Sequence, residues 1–250
     1  MPARKKTVKS PGQGMTAKQK KRRKPIDEAY MIPVEPLTHN QQLFFDEWDK
    51  GKMVYAYGVA GTGKTFIALY KALKDVLNEY TPYEKIYIVR SLVATREIGF
   101  LPGDHEDKSS LYQIPYKNMV QSMFEMPDDN AYEMLYDNLK AQETISFWST
   151  SFIRGTTLDN AIVIIDECQN LNFHELDSII TRVGQDSKIV FCGDAAQTDL
   201  QKVSERTGIL DFQRILQNMD EFSLIEFNVE DIVRSGLVKS YLINKINLGL

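Results

Sequence analysis

The chain has 250 residues, 43% of them hydrophobic and 26% charged, with a net charge of −4. That composition suits one globular domain with its own core and excludes a disordered protein. Apolar runs stop at about five residues against the roughly 20 of a membrane span. No apolar stretch of secretory type follows the basic start, and two cysteines are too few for a disulfide-built domain or a zinc site of their own. The expectation is a cytoplasmic protein that meets no membrane.

Charge divides the chain in two. Residues 1–24 carry ten Lys or Arg and no acid; the other 20 basic residues stand against all 34 acids, leaving the remainder at −14. The basic segment has almost no large apolar side chains, so it predicts a disordered arm with a boundary near Pro25 and one domain over 25–250. Such an arm suits a nucleic-acid tether, because neutralising phosphates releases counterions. A solvated tail, or a contact for an acidic protein, is the alternative.

Residues 53–57 form an apolar, aromatic run that predicts a buried strand. Phe66, Leu69, Leu73, Val76 or Leu77, and Tyr80 then share one helical face, stopped by Thr81-Pro82. Residues 86–89 predict a second strand. Residues 113–124 and 128–141 predict helices, with Asp128 or Asp129 as a cap. Strands follow at 144–148, at 161–165 (a β-branched run typical of a central parallel strand), at 189–192 and at 224–227. Helices are expected at 173–183, 209–219 and 236–246. This alternation predicts an α/β fold with an open, mostly parallel sheet and helices on both faces.

Gly58, Val59, Ala60, Gly61, Thr62, Gly63, Lys64 and Thr65 fit G-x-x-x-x-G-K-[ST] between a predicted strand and a predicted helix. Glycines let successive N–H groups turn inward onto phosphate oxygens, and the helix that continues through Phe66 adds its positive end. Lys64 is the expected point charge on the β- and γ-phosphates, and the Thr65 hydroxyl a Mg²⁺ ligand. The second half of the site is the strand ending in Asp166 and Glu167, at the edge where ligands sit in such sheets. Asp166 is expected to hold Mg²⁺ through water and Glu167 to polarise the attacking water. A third element runs from Gly193 and Asp194 to Gln197. Either Gln197 senses the γ-phosphate, or Asp194 caps a helix.

With these motifs in place the sequence resembles the PhoH family of P-loop ATPases, relatives of superfamily 1 helicases. The resemblance runs through Leu37-Thr38-His39-Asn40-Gln41, Gly58 to Thr65, Ile98-Gly99-Phe100-Leu101-Pro102-Gly103-Asp104 and Arg154-Gly155-Thr156-Thr157-Leu158. It continues through Ile165-Asp166-Glu167-Cys168-Gln169-Asn170, Thr181-Arg182-Val183-Gly184, Gly193 to Gln197 and Asp231-Ile232-Val233-Arg234. Its compactness resembles phage-encoded members.

The resemblance implies a RecA-like P-loop fold, ATP and Mg²⁺ as cofactors, and ATP hydrolysis on RNA or single-stranded DNA by a helicase-like motor or remodeller. The alternative is an ATP-switched binding module that does not translocate; a small-molecule kinase ranks third. It further implies that Gln41 reads adenine, against an exposed Gln at a helix start. Arg234 becomes an arginine finger, with Arg182 as rival, against an ordinary surface arginine. Helicases of this type work with paired RecA-like units, so a homo-oligomer is expected, a ring such as a hexamer with the finger donated by a neighbour. The sequence departs from the family at Ser91 after Arg90, which loosens a nucleic-acid role for Arg90, at Cys168 and at Ser235. Cys168 and Cys192 read as small buried residues. His105 and His174 lack partners at metal-ligand spacing, and the run from Asp104 to Asp107 reads as a solvated loop. Tyr112, Tyr116, Phe124, Tyr132 and Tyr136 read as core or subunit contact, with base stacking as the alternative.

Overall fold

Six segments rich in β-branched and aromatic residues line up side by side in the computed structural model, which describes residues 26, 28–90, 105–153, 155–194 and 203–248, with backbone alone at 105–112, 151, 152 and 203–207. They are β1 (Met53–Gly58), β2 (Lys85–Arg90), β3 (Ile145–Ser149), β4 (Ala161–Asp166), β5 (Lys188–Gly193) and β6 (Phe222–Phe227). Their order is β3-β2-β4-β5-β1-β6, and every pairing is parallel. Parallel neighbours need crossovers, and helices supply them. These are α1 (His39–Asp49), α2 (Lys64–Leu77), α3 (His105–Gln121), α4 (Asp129–Ala141), α5 (Thr150–Ile153), α6 (Phe173–Ile180), α7 (Val203–Gln217) and α8 (Gly236–Asn247).

Strand side chains alternate between faces, so the sheet carries two cores. Val54, Ala56, Ile162 and Ile164 pack with Phe44, Leu69, Val120 and Leu139 of α1 to α4. Tyr55, Val163 and Ile165 pack with Leu176, Ile179, Phe212 and Leu216 of α6 and α7. All six residues of β4 and of β5 are buried, which is why these segments read as continuous apolar runs. This is the expected α/β P-loop fold with helices on both faces. Register brings the functional ends together: Arg90 lies opposite Asp166, Ile165 opposite Phe191, and Tyr57 opposite Gly193. The carboxyl ends of β1, β2, β4 and β5 therefore share one edge.

Several boundaries differ from expectation. Helix α2 ends at Leu77, so Tyr80 is off its face and exposed. The Asn78 side chain accepts the Tyr80 N–H at 2.8 Å and turns the chain before Thr81-Pro82 is reached. Helix α6 stops at Ile180, where Thr181 turns its hydroxyl back onto the Asp177 and Ser178 carbonyls. Helix α1 was not among the predicted elements, although one reading of Gln41 put it at a helix start; its signal was Thr38, whose side chain accepts the Gln41 N–H at 3.3 Å as a cap. The short α5 also went unread. Tyr116, Phe124, Tyr132 and Tyr136 are all buried, which settles them as core and removes their faces from base stacking. The basic arm, Asp104, Arg154, the Ile98 to Asp104 stretch and Gln197 lie outside the described residues, and so does the Tyr112 side chain.

At the amino edge, Lys188 is buried under the end of α1. Its ammonium donates to the Trp48 carbonyl at 3.0 Å and lies 4.4 Å from the Trp48 ring centre. Trp48 in turn donates its indole N–H to Asp75 at 2.8 Å. Burial lowers the Lys188 pKa from 10.5 to about 8. The unfolded chain keeps that proton up to about pH 10.4 while the folded chain releases it near 8, so stability rises with pH between those values. Against a Lys188→Met variant, wild-type stability is expected to gain up to about 3 kcal/mol across that window, at about 1.4 kcal/mol per unit. Urea unfolding at pH 7.5 and 10 measures it. Parallel pH profiles for the two proteins would refute it.

Candidate active site

The turn after β1 must leave the sheet, wrap and enter α2 within six residues, and only glycine takes the required backbone freely. Gly58, Gly61 and Gly63 all have positive φ, at 112°, 77° and 85°. A Cβ on Gly58 would stand 2.0 Å from the Phe227 carbonyl oxygen, whose bond from the Val59 N–H measures 2.8 Å. Thr62 is fully buried, and its hydroxyl donates to the Val59 carbonyl at 3.0 Å. The loop thus folds around its own lysine. Lys64 Nζ donates to the carbonyls of Gly58 at 3.0 Å and Val59 at 2.7 Å, and to Thr62 Oγ1 at 3.3 Å. Burial lowers the Lys64 pKa, opposed by Cys192, Asp194, Glu167 and Asp166 around it.

Facing the loop is the end of β4. The Thr65 hydroxyl donates to Asp166 Oδ1 at 2.6 Å, which brings together the two halves read from sequence. Glu167 follows in left-handed backbone, φ 52° and ψ 42°, a conformation rare for a residue with a side chain and concentrated at functional sites. Its Oε2 accepts from Gln169 Nε2 at 2.6 Å, while Arg90 Nη2 stands 3.9 Å from Oε1. Gln169 is buried, and its Oε1 accepts the Asp194 N–H at 2.9 Å. One amide therefore joins the end of β4 to the end of β5. Sequence reasoning did not find the roles of Gln169, Arg90 or Tyr116, whose hydroxyl donates to Asp166 Oδ2 at 2.6 Å. Cys168 and Cys192 are buried free thiols; burial pushes Cys168 up to about 12, so it has no thiolate chemistry near neutrality.

The segment after β6 closes the other side. Val233 N–H donates to the Gly61 carbonyl at 3.1 Å. A Cβ on Gly61 would meet Arg234 Cγ at 3.0 Å and Leu242 Cδ1 of α8 at 3.3 Å. Arg234 thus sets its side-chain stem against the loop of its own chain while the residue as a whole stays exposed. Arg182 lies beyond α6, where its carbonyl accepts from Leu158 N–H just before β4. It is at the amino edge, about a strand's length of 20 Å from the loop.

Gln41 is buried beside Gly63. Its Nε2 donates to the Thr62 carbonyl at 2.8 Å and its Oε1 accepts the Leu37 N–H at 2.8 Å. One donated and one accepted bond brace the loop through Gln41, and a carboxamide has a second N–H and a second acceptor position besides. A cleft of about 380 Å³ adjoins it, lined by Leu37 to Asn40, Asn228, Glu230 and Asp231. Buried Asp231 ties the cleft walls, accepting from Asn40 Nδ2 at 2.7 Å and Asn228 N–H at 2.9 Å. These bonds, with one from Thr38, lower its pKa although burial opposes them.

The donor set suits Mg²⁺: a threonine hydroxyl and a carboxylate are hard oxygen donors, and this ion normally takes only one or two protein ligands beside phosphate and water. Among the described residues no group of three His, Cys, Asp or Glu could hold a metal by itself, so the ion's remaining ligands would come from the nucleotide and solvent. Also among them, no helix is long and apolar enough to cross a membrane.

Comparison with known proteins bears on the whole arrangement. Residues 33–244 match the family described as PhoH-like protein. The chain is 32% identical over 206 residues to a PhoH-like protein of Mycobacterium leprae, covering 82% of this chain and 56% of that protein. It is 33% identical over 210 residues to a PhoH-like protein of Bacillus subtilis, covering 80% and 60%. It thus spans little more than half the length of these relatives. Among solved structures it overlays unliganded Pif1 from Bacteroides with a TM-score of 0.37 and 17% identity, over 78% of this chain and 42% of that one.

Proposed function

Since this chain belongs to the PhoH family, we propose that it binds ATP with Mg²⁺, hydrolyses it, and spends the cycle on RNA or single-stranded DNA in the cytoplasm. The observation that carries this reading is the 2.6 Å bond from Thr65 to Asp166, which holds the phosphate-binding loop against the acidic strand end. Amides from Gly61 to Lys64 bind the phosphates, and Lys64 turns its ammonium from the loop carbonyls toward them. Thr65 and, through water, Asp166 are the residues that would hold Mg²⁺, which when bound would supply charge neutralisation to the phosphates. Glu167 orients the attacking water and takes its proton. Arg234, already against Gly61, supplies a guanidinium to the phosphate side from the same chain. Positioning and charge suffice, because the transition state of this transfer is loose.

Gln169 gives hydrolysis a route outward. A change at Glu167 reaches the Asp194 backbone through one amide, and so the segment that follows β5. A homo-oligomer, such as a ring, fits the exposed side chains of α8, none of whose residues is buried: Leu237 is 83% and Tyr241 66% exposed, while Leu242 of the same helix lies near Gly61.

Calorimetry with MgATP and hydrolysis rates against a panel of RNAs and single-stranded DNAs, with oligomeric mass measured in parallel, test the proposal. Saturable heat and a rate raised by at least one class of nucleic acid are expected. No heat from folded protein removes the ATP reading. A rate indifferent to every nucleic acid removes the substrate reading and leaves an ATPase. Strand displacement on a tailed duplex separates a motor from a switch.

A further inference from the structure

Both oxygens of Asp166 are taken, and by different parts of the fold. Oδ1 accepts from Thr65 on the phosphate-binding loop, and Oδ2 accepts from the hydroxyl of Tyr116 at 2.6 Å. Tyr116 belongs to α3, in the stretch between β2 and β3, fifty residues from Asp166. It is only 2% exposed, and its ring packs on Phe147 of β3 at 5.4 Å between centres. A buried phenol that has one good acceptor and a fixed ring is a directional clamp on that acceptor.

We infer that Tyr116 is a positioning residue for magnesium binding: by holding Oδ2 it fixes the rotation of the Asp166 carboxylate and keeps Oδ1 on the Thr65 side. The inference rests on the proposed ATP site. Removing the hydroxyl leaves Oδ2 buried and short of a donor, so the carboxylate turns to satisfy it and Oδ1 leaves Thr65. Helix α3 thereby gains a hold on the metal site without touching nucleotide.

The test is Tyr116→Phe in the full chain, with ATP binding followed by calorimetry in EDTA and across a Mg²⁺ titration. In EDTA the variant is expected to bind ATP as wild type does, because Lys64 and the loop amides are untouched. The Mg²⁺ concentration that gives half of the metal's enhancement is expected to rise about 10–100-fold, the usual cost of removing a partner from a metal ligand. In an Asp166→Ala background the same substitution is expected to add nothing, since the residue it acts through is gone. An unchanged Mg²⁺ requirement overturns the inference, and so does an equal shift in both backgrounds. Loss of ATP binding in EDTA also overturns it, since the hydroxyl would then be holding the fold. If wild type itself shows no ATP binding or no Mg²⁺ enhancement, the proposed ATP site fails first, and the wild-type titration alone tells the two failures apart.

Discussion

Glu167→Gln is expected to keep MgATP affinity and to lose about 10²–10⁴-fold of the hydrolysis rate, the range a positioned general base supplies. The substitution is close to isosteric and leaves Lys64, Thr65 and Asp166 alone. The bond from Gln169 survives, because the new amide oxygen still accepts from Gln169 Nε2, now 2.6 Å from the carboxylate. What goes is the charge and the ability to take a proton. Left-handed backbone at this position suits glutamine no worse than glutamate, so stability is not expected to fall. Calorimetry reports binding and single-turnover phosphate release reports chemistry. A variant that hydrolyses at the wild-type rate would move the base elsewhere.

Gly58→Ala is the substitution expected to damage the fold most. Its φ of 112° is one that side-chain-bearing residues rarely adopt, and the added methyl would lie 2.0 Å from the Phe227 carbonyl oxygen. That oxygen is backbone, held by the Val59 N–H, and cannot swing aside as a side-chain end would. Backbone strain and overpacking together cost about 2–6 kcal/mol, much of the 5–15 kcal/mol that holds a domain folded. Separating β1 from β6 at this point also opens the loop, so ATP binding is expected to be lost with stability. Thermal unfolding and calorimetry measure both. A variant with the wild-type midpoint and affinity would show that the β1–β6 junction yields. Gly51, whose φ of 84° comes with open space around it, serves as the control: an alanine there bears the backbone cost alone.

The parts of this molecule legible in its sequence were those whose chemistry is local. A glycine-rich bend between a strand and a helix, and a β-branched run ending in two acids, each carry their meaning within a few residues. Parallel strands put such ends on one edge, so the pairing of Thr65 with Asp166 followed from the fold class. Contacts made by chain reversal were not legible. Tyr116 looked like any aromatic at helical spacing, and nothing near it in sequence announces Asp166. Gln169 lies within a recognised motif, yet its reach to Asp194 depends on β5 lying beside β4, which sequence alone does not order. Gln41 shows the same limit. Its bonds to Leu37 and Thr62 depend on how the chain before α1 meets the loop, which residues near it in sequence do not reveal. The contact of Arg234 with Gly61 of its own chain is another that depends on chain reversal.

The ammonium of Lys64 keeps three acceptors from its own loop. A cationic pocket left bare would collapse or draw in stray anions; this one is held in shape by internal bonds until a ligand arrives. Under the proposed hydrolysis each round would begin from a cradle already formed, and the slow reordering of a slack segment would drop out of the waiting time between one round and the next.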